Sequence, residues 1–327
     1  MTTKHFRLAL TVSLALTVSS VLASACGSDG SATSTSRVVL SKAEIQRLWD
    51  EAAAFADRSI TPWPDVEDFI ADLAEDATAT DPTGNIFNIG REDIIVATRQ
   101  FAESTNYNYE VTGIYLSVDG AAFDEALPGL EMSTSPDAPV LLAADAYRFR
   151  DGKIISDDEW WGSEWLRFHA VGCFAVDGCP ALQKTVDRYV AAWSARDPDA
   201  IAALYSDDAV FTDSMLGLNA KGLGAIRDLA NVRFGSTGDL TIEVLGLYAW
   251  TDGPHPPTEA DPERGSLIGV TVHHRTTSSS GAVMQEGIIT LELGPRSATD
   301  MDADPRGLIH KEDVFHEPAS LLAAIQP

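Results

Sequence analysis

The sequence predicts an α+β protein made of two copies of one fold. Helical patterns come first in each half of the chain, and strand-like runs separated by polar loops follow them. Residues 65–94 align with residues 197–226 at a constant shift of 132 positions, without a gap. Asp76, Ala77, Thr80 and Asp81 then fall on Asp208, Ala209, Thr212 and Asp213. Two long copies indicate tandem domains rather than a solenoid, which has shorter and more numerous repeats.

Each copy is predicted to begin with helices and to end with strands. Residues 43–58 and 181–195 carry apolar residues at helical spacing. In the second copy, Asp197 or Asp199 can cap the next helix. The further predictions there are helices at residues 200–205 and 222–233, and strands at residues 208–212, 240–250, 267–277, 282–293 and 308–316. A curved antiparallel sheet wrapped by three helices makes a cone with one open, apolar end.

The predicted organisation is therefore two tandem cone-shaped domains, which we expect to pack together as a built-in pseudo-dimer. They occupy residues 41–168 and 181–320, with a linker at residues 169–180 and a tail at residues 321–327.

The first 25 residues have the pattern of a secretory signal peptide. Lys4 and Arg7 give a basic start, and residues 8–22 are uncharged and rich in Leu, Val and Ala. This run is shorter than the roughly 20 apolar residues that a membrane-spanning helix needs. The segment predicts an extracytoplasmic protein.

The end of this segment, residues 21–26, resembles the lipobox of bacterial lipoproteins. That resemblance implies that Cys26 carries a lipid, becomes the first mature residue and anchors the protein to the bacterial cell membrane. The alternative is an ordinary signal peptide that is cut nearby, with Cys26 incidental. Residues 26–40 include a Gly/Ser/Thr-rich run that is typical of a flexible tether.

Two further cysteines lie in the linker. If Cys26 is lipidated, Cys173 and Cys179 remain as a pair, and an oxidising compartment favours a disulfide between them. A metal site would need more ligands, and only His169 is close in sequence. We interpret the pair as a structural clip between the two domains.

The composition excludes several classes of partner. The formal net charge of −26 repels phosphate backbones and anionic lipids, so neither nucleic acid nor a charged membrane surface is an expected partner. Asp300, Asp302 and Asp304 have the spacing that opens a calcium loop, but Pro305 and Lys311 stand where the glycine and the bidentate Glu belong. His273 and His274 are adjacent on a predicted strand and so face opposite sides. No metal and no cofactor are predicted.

Several segments resemble the nuclear-transport-factor-2-like (NTF2-like) superfamily, which includes SnoaL-like polyketide cyclases and steroid Δ5-3-keto isomerases. They are residues 73–84, 186–192 and 207–213, with the late strands at residues 152–161 and 307–315. The resemblance covers nearly all of residues 40–318 in two copies, and it implies two tandem NTF2-like domains.

The same resemblance implies candidate acid–base groups. In the isomerases a carboxylate moves a proton between two carbons, while a tyrosine and a protonated Asp face the developing oxyanion. In the first copy the base falls on Asp81, the tyrosine on Leu48 and the second Asp on Asp145. In the second copy they fall on Asp213, Tyr189 and Ile289. Each copy keeps two of the three groups, which argues against isomerase activity.

Some cyclase-like members place an acid on the last strand, pointing into the cone. Glu159 and Asp313 stand at that place. The predicted catalytic groups of the second copy are thus Tyr189, Asp213 and Asp313, and the pocket candidates of the first copy are Asp81, Asp145 and Glu159. Alternatively, Asp81 and Asp213 satisfy backbone donors at the turn after their strand.

Three functions follow as hypotheses. The first is a lipid-anchored protein that binds a small apolar molecule, such as a steroid or a polyketide, in one or both cones. The second is an isomerase- or cyclase-like enzyme, and the third is a module that acts through its surface. The incomplete sets of catalytic groups favour the first and third. The sequence does not give the oligomeric state.

Overall fold

A computed structural model of the protein describes residues 40–60, 66–81, 86–104, 109–119, 124–134, 142–162, 179–213, 215–236, 240–251, 267–279, 281, 283–294 and 307–324. The predicted signal peptide, Cys26, nearly all of the tether, and Cys173 lie outside the described residues.

The first half of the chain contains three helices and seven strands among the described residues. The helices are α1 (Lys42–Phe55), which continues into a π-helical turn (Ala56–Ile60), α2 (Val66–Asp72) and α3 (Arg91–Ser104). The strands are β1 (Leu73–Asp81), β2 (Ile86–Gly90), β3 (Tyr109–Gly113), β4 (Ser117–Asp119), β5 (Asp124–Thr134), β6 (Leu142–Arg150) and β7 (Lys153–Gly162). Helix α1 begins at a capping box, in which Ser41 and Glu44 satisfy each other's backbone N–H groups.

Among the described residues the second half repeats this order as far as its third helix, and then has four strands and a final helix where the first half has five strands. It comprises α4 (Pro180–Ala195), α5 (Pro198–Ala202), β8 (Tyr205–Asp213), β9 (Leu218–Lys221), α6 (Gly222–Ser236), β10 (Leu240–Thr251), β11 (Leu267–Ser278), β12 (Val283–Glu292), β13 (Ile309–His316) and α7 (Pro318–Ala324). Asp197 caps α5, because its carboxylate accepts hydrogen bonds of 3.0 Å from the backbone N–H groups of Asp199 and Ala200. The starts of α2, β1 and β2 are each 132 positions before those of α5, β8 and β9.

All of these strands belong to one sheet. The hydrogen-bonded order is β3-β5-β6-β7-β10-β11-β12-β13-β8-β9, with β1 on β7, β2 on β1 and β4 on β5. Strand β7 joins the halves by pairing with β10 through Trp161 and Ala249. The predicted α+β class is confirmed. The division into separate domains stays a prediction, since most of the proposed linker lies outside the described residues.

Aromatic side chains fill the contact between the halves. The rings of Trp160 and Trp250 stack at 4.5 Å between centroids with an interplanar angle of 4°. The Tyr115 hydroxyl lies 3.0 Å from Nε2 of His273, and the backbones of Leu116 and His316 exchange hydrogen bonds of 2.8 and 2.9 Å. One face of the second half's sheet is therefore covered by the first half.

No helix among the described residues is long and apolar enough to cross a membrane.

Candidate functional site

The register of the strands decides which side chains share a face. Residues paired directly on neighbouring strands point to the same side of a sheet. Through the pairings of β11, β12 and β13, the inner face of the second half contains Val272, His274, Ile289, Leu291, Glu312, Val314 and His316. Helix α4 packs on this face, since the Tyr189 hydroxyl reaches Glu312. His273 points to the other face, where it meets Tyr115, as its sequence position predicts.

Asp213, the last residue of β8, forms a buried pair with His316. Its Oδ1 atom lies 2.9 Å from His316 Nε2 and accepts a 3.2 Å hydrogen bond from the N–H of Leu216. Burial alone would raise the pKa of Asp213, but His316 and Arg233 outweigh it and hold the pKa below its usual value. Asp213 is fully buried, and its Oδ2 atom has no hydrogen-bond partner among the described residues. The carboxylate is thus ionised, and its Oδ2 atom can accept a hydrogen bond from a ligand.

His274 supplies a second available polar atom. The side chain is buried, and Nδ1 has no partner within the described part of the chain. Desolvation, with electrostatic interactions with His316 and Arg233, lowers the pKa of His274 to about 3. The imidazole is therefore neutral at neutral pH, with one ring nitrogen that donates and one that accepts.

Glu312 is held by two tyrosines on the same inner face. The Tyr189 hydroxyl donates to Oε1 at 2.7 Å, and the Tyr205 hydroxyl donates to Oε2. Burial raises the pKa of Glu312 to about 7, although both hydrogen bonds and Arg233 oppose the rise. Burial and the Glu312 charge raise the pKa of both tyrosines. This group of three satisfies its own hydrogen bonds.

The structure does not bring Asp313 together with Tyr189 and Asp213. Asp313 points to the opposite face of β13 from Glu312, because successive residues of a strand alternate between faces. Its Oδ2 atom lies 2.5 Å from the Lys311 ammonium. The inward-facing acid of the last strand is Glu312, which sequence reasoning missed, and Tyr189 bonds to it rather than to Asp213.

In the first half the three predicted acids do meet. Asp145 is paired with Glu159 across β6 and β7, and Asp81 and Asp157 are close enough to raise the pKa of Glu159. Trp161 Nε1 donates to Asp81 Oδ1 at 2.9 Å, and the Tyr147 hydroxyl donates to Asp145 Oδ2 at 3.0 Å. Asp157, a further member, was also missed by sequence reasoning.

These carboxyl groups raise one another's pKa. Burial, opposed by the Tyr147 hydrogen bond and reinforced by Asp81, raises the pKa of Asp145 to about 7. Burial and the neighbouring acids raise the pKa values of Asp157 and Glu159 well above their usual range.

The two halves place corresponding groups at corresponding positions. Asp81 bonds to Trp161 in the first half, and Asp213 bonds to His316 in the second. Asp157 corresponds to Glu312, because each pairs with an equivalent residue of β1 or β8. Gly152 and Gly307 both have positive φ and precede β7 and β13. Counting the same number of residues from each glycine aligns Asp157 with Glu312 and Trp161 with His316, so it would have found Asp157, Glu312 and His316.

The described residues contain no group of three His, Cys, Asp or Glu side chains that could hold a metal ion. Cys179 is buried next to the start of α4, and its pairing with Cys173 stays a prediction because Cys173 lies outside the described residues.

Comparison with known proteins supports the fold of the second half. Residues 186–285 match the family model of the SnoaL-like domain, so the second half contains a domain of this class. A search of curated proteins found no match.

Three solved structures are similar to the chain at low identity. One is a hypothetical protein with a ketosteroid isomerase-like fold from Catenulispora acidiphila, in complex with trimethylamine (15% identity, 43% of this chain and 90% of that chain, TM-score 0.29). Another is a SnoaL-like protein of unknown function from Burkholderia thailandensis (16%, 42% and 93%, TM-score 0.29). The third is an NTF2-like protein of unknown function from Cytophaga hutchinsonii (11%, 43% and 93%, TM-score 0.28).

Replacing His316 with alanine is expected to lower the free energy of unfolding by about 3–5 kcal/mol, because it removes the side chain that bonds to the buried Asp213 carboxylate at 2.9 Å. Urea denaturation measures the change. The double variant Asp213→Asn/His316→Ala should be more stable than His316→Ala alone, and equal losses in both would contradict the pairing.

Proposed function

We propose that the protein is an extracytoplasmic lipoprotein, anchored through Cys26, that binds a small and mostly apolar molecule at the inner face of the second half. The observation that supports this most directly is the pair of buried atoms without partners, Asp213 Oδ2 and His274 Nδ1. A buried polar atom without a hydrogen bond is costly, so a ligand that supplies the bond gains affinity.

The surroundings of these atoms define the chemistry of the ligand. Val272, Ile289 and Val314 lie on the same face and offer only apolar surface. An ionised carboxylate accepts hydrogen bonds, whereas a neutral imidazole donates at one nitrogen and accepts at the other. A steroid- or polyketide-like molecule with a hydroxyl or enol group meets both requirements.

Proton transfer is the second candidate function, and the ionisation of Asp213 favours it. The Asp213 carboxylate stays charged in its buried site and can accept a proton from an acidic carbon of the ligand, and its lowered pKa makes it a weak base that needs an activated carbon. The oxygen on which negative charge develops needs a donor, and Nδ1 of the neutral His274 does not supply it, because the imidazole's hydrogen bond with the Gly287 backbone uses its one N–H. Tyr189 does not serve this role in the structure, because its hydroxyl is bonded to Glu312.

The proposal includes two tandem NTF2-like domains packed as a pseudo-dimer. The repeated order of elements, the stack of Trp160 on Trp250 and the Tyr115–His273 contact support it. The contact uses the face of the second half's sheet that is opposite the proposed site, so both inner faces are free to act independently.

The test is extraction of bound small molecules from the full-length protein, purified from membranes of its host in mild detergent and analysed by mass spectrometry. The wild type should carry a specific apolar molecule, and Asp213→Asn should retain at least about tenfold less of it. Asp313→Asn, which removes a carboxylate from the opposite face, is the matched control and should retain it.

The outcomes separate the three functional classes. No bound molecule, even after incubation with a hydrophobic metabolite extract, would refute the proposal and favour the surface-interaction hypothesis. If the extracted molecule is converted by the wild type but not by Asp213→Asn, the protein is an enzyme. If neither protein converts it, the protein is a binding protein.

A further inference from the structure

We propose that the inner face of the first half is a second binding site, specific for an organic ammonium ion with an apolar body. The site is the acidic cluster, defined as Asp81, Asp145, Asp157 and Glu159, together with the aromatic side chains beside it.

The cluster gathers carboxyl groups from three strands in a buried place. Asp145 and Asp157 are only 2% and 5% exposed. One oxygen of each, Oδ1, has no hydrogen-bond partner among the described residues. Two buried acceptors without a partner among the described residues favour a ligand that brings donors, and the N–H groups of an ammonium ion are such donors.

In the second half an arginine balances the buried negative charge, whereas in the described part of the first half no positive charge is among the main influences on the buried acids. Arg233 of α6 lowers the pKa values of Asp213 and Glu312. At the constant shift of 132 its counterpart in α3 is Phe101. None of the charges that dominate the pKa values of Asp145, Asp157 and Glu159 is positive.

Arg148 does not take the place of Arg233 in the first half. Its side chain points to the opposite face of β6 from Asp145 and Tyr147. On that face its charge opposes the rise in the pKa of Lys311. The first half thus concentrates negative charge on its inner face, and the position that corresponds to Arg233 in the sequence is an uncharged phenylalanine.

An organic cation fits better than a metal ion. No group of three potential metal ligands with suitable geometry exists among the described residues. Tyr147 and Trp161 lie on the same inner face as the acids, and Phe55 packs edge-on against Tyr147 at 5.1 Å. Aromatic faces attract organic cations and accept their apolar parts.

Protons compete with the cation for the cluster. The titratable groups that face one another here are the four acids and Tyr147, from β1, β6 and β7, and Asp158 acts on Asp157 from the other face of β7. Because burial and mutual repulsion raise these carboxyl pKa values, the cluster keeps protons near neutral pH. Binding of an ammonium ion should therefore release protons and tighten as the pH rises.

Isothermal titration calorimetry of the full-length protein with cyclohexylamine, and with cyclohexanol as the neutral counterpart, tests the proposal. The amine should bind at least about tenfold more tightly than the alcohol at pH 8. Its affinity should rise from pH 6 to pH 8, and buffers of different ionisation enthalpy should reveal proton release. Equal affinities for amine and alcohol would overturn the proposal. Binding of calcium ions that is abolished by prior addition of the amine would also overturn it, because the site would then be a metal site.

Variants locate the binding. Asp145→Asn should weaken amine binding at least about tenfold. Asp76→Asn should not, because Asp76 is an exposed carboxylate of the same strand as Asp81 and pairs with Arg150 at the surface. Phe101→Arg, which brings a guanidinium to the position of Arg233, should abolish it. Wild-type affinity in a folded Asp145→Asn protein would refute the site.

This inference can fail separately from the proposed function of the second half. Asp213→Asn should leave amine binding unchanged while it removes the apolar ligand. Loss of both activities in Asp213→Asn would show that the two faces do not act independently.

Discussion

Replacing Gly287 with alanine is expected to lower the free energy of unfolding by about 3 kcal/mol, because the new methyl group has no space. A Cβ atom at this position would lie 2.0 Å from the carbonyl oxygen of Phe315 and 3.1 Å from its carbonyl carbon. Both are backbone atoms of β13, which pairs with β12 through Gly287 and His316. Relief of the clash must therefore move β13, and with it the histidine that holds Asp213.

Gly224→Ala is the matched control for this substitution. Gly224 lies in α6, and a Cβ atom there would meet no atom within 4 Å. Alanine in a helix is favoured over glycine by about 1 kcal/mol, so this variant should be slightly more stable than the wild type. Urea denaturation of both variants makes the comparison, and a Gly287→Ala protein as stable as Gly224→Ala would contradict the close approach of the two strands.

The sequence predicts the order of elements well because local patterns determine it. The helical spacing of residues 181–195 matches α4, and Asp197 caps α5 as its position predicts. The pairing between β7 and β10 could not be predicted, since it depends on two aromatic strands from different halves meeting at Trp161 and Ala249. Such long-range contacts leave no periodic signal in either strand.

The candidate site was likewise predicted only in part from the sequence. Asp81, Asp145 and Glu159 were predicted from a resemblance and lie close together in the structure. The prediction for the last strand of the second half placed the inward acid at Asp313, one residue beyond Glu312. A shift of one residue reverses the face of a strand, so an alignment correct to within a residue still assigns the wrong side chain.

The chemistry of the two inner faces depends on residues that no motif marks. Arg233 lowers the pKa values of Asp213 and Glu312 on the inner face of the second half, whereas the corresponding position in the first half is the uncharged Phe101. Neither stands out in the sequence, because an arginine or a phenylalanine on a helix is ordinary. The importance of Arg233 follows only from the acids whose pKa values it lowers.

The free energy of unfolding is expected to fall by roughly 3 kcal/mol or more as the pH rises from 5 to 8. Burial raises the pKa values of Asp145 and Glu312 to about 7, and those of Asp157 and Glu159 lie well above their usual range. In the unfolded chain the same groups lose their protons near pH 4. These four carboxyl groups therefore hold more protons in the folded than in the unfolded state, and their contribution to stability decreases as the pH rises. His274, whose folded pKa is about 3, opposes this decrease only between pH 5 and about 6.5, where the unfolded histidine loses its proton.

Asp213 acts in the opposite direction but outside this interval. Its folded pKa is lowered, so its stabilising contribution is complete above the usual Asp value and is lost only as the pH falls below about 4. Urea denaturation at pH 5, 6, 7 and 8 should show the decrease, and Asp145→Asn should reduce it because one of the buried protons no longer has to be released.

Self-repulsion of the net charge of −26 is a competing cause of instability at high pH, and salt distinguishes the two. Added sodium chloride screens exposed charges but has little effect on buried ones. The decrease should therefore persist at 0.5 M salt and in Asp76→Asn, whose carboxylate is exposed. A stability that stays constant from pH 5 to pH 8 at high salt would mean that the buried acids are already ionised in the folded protein.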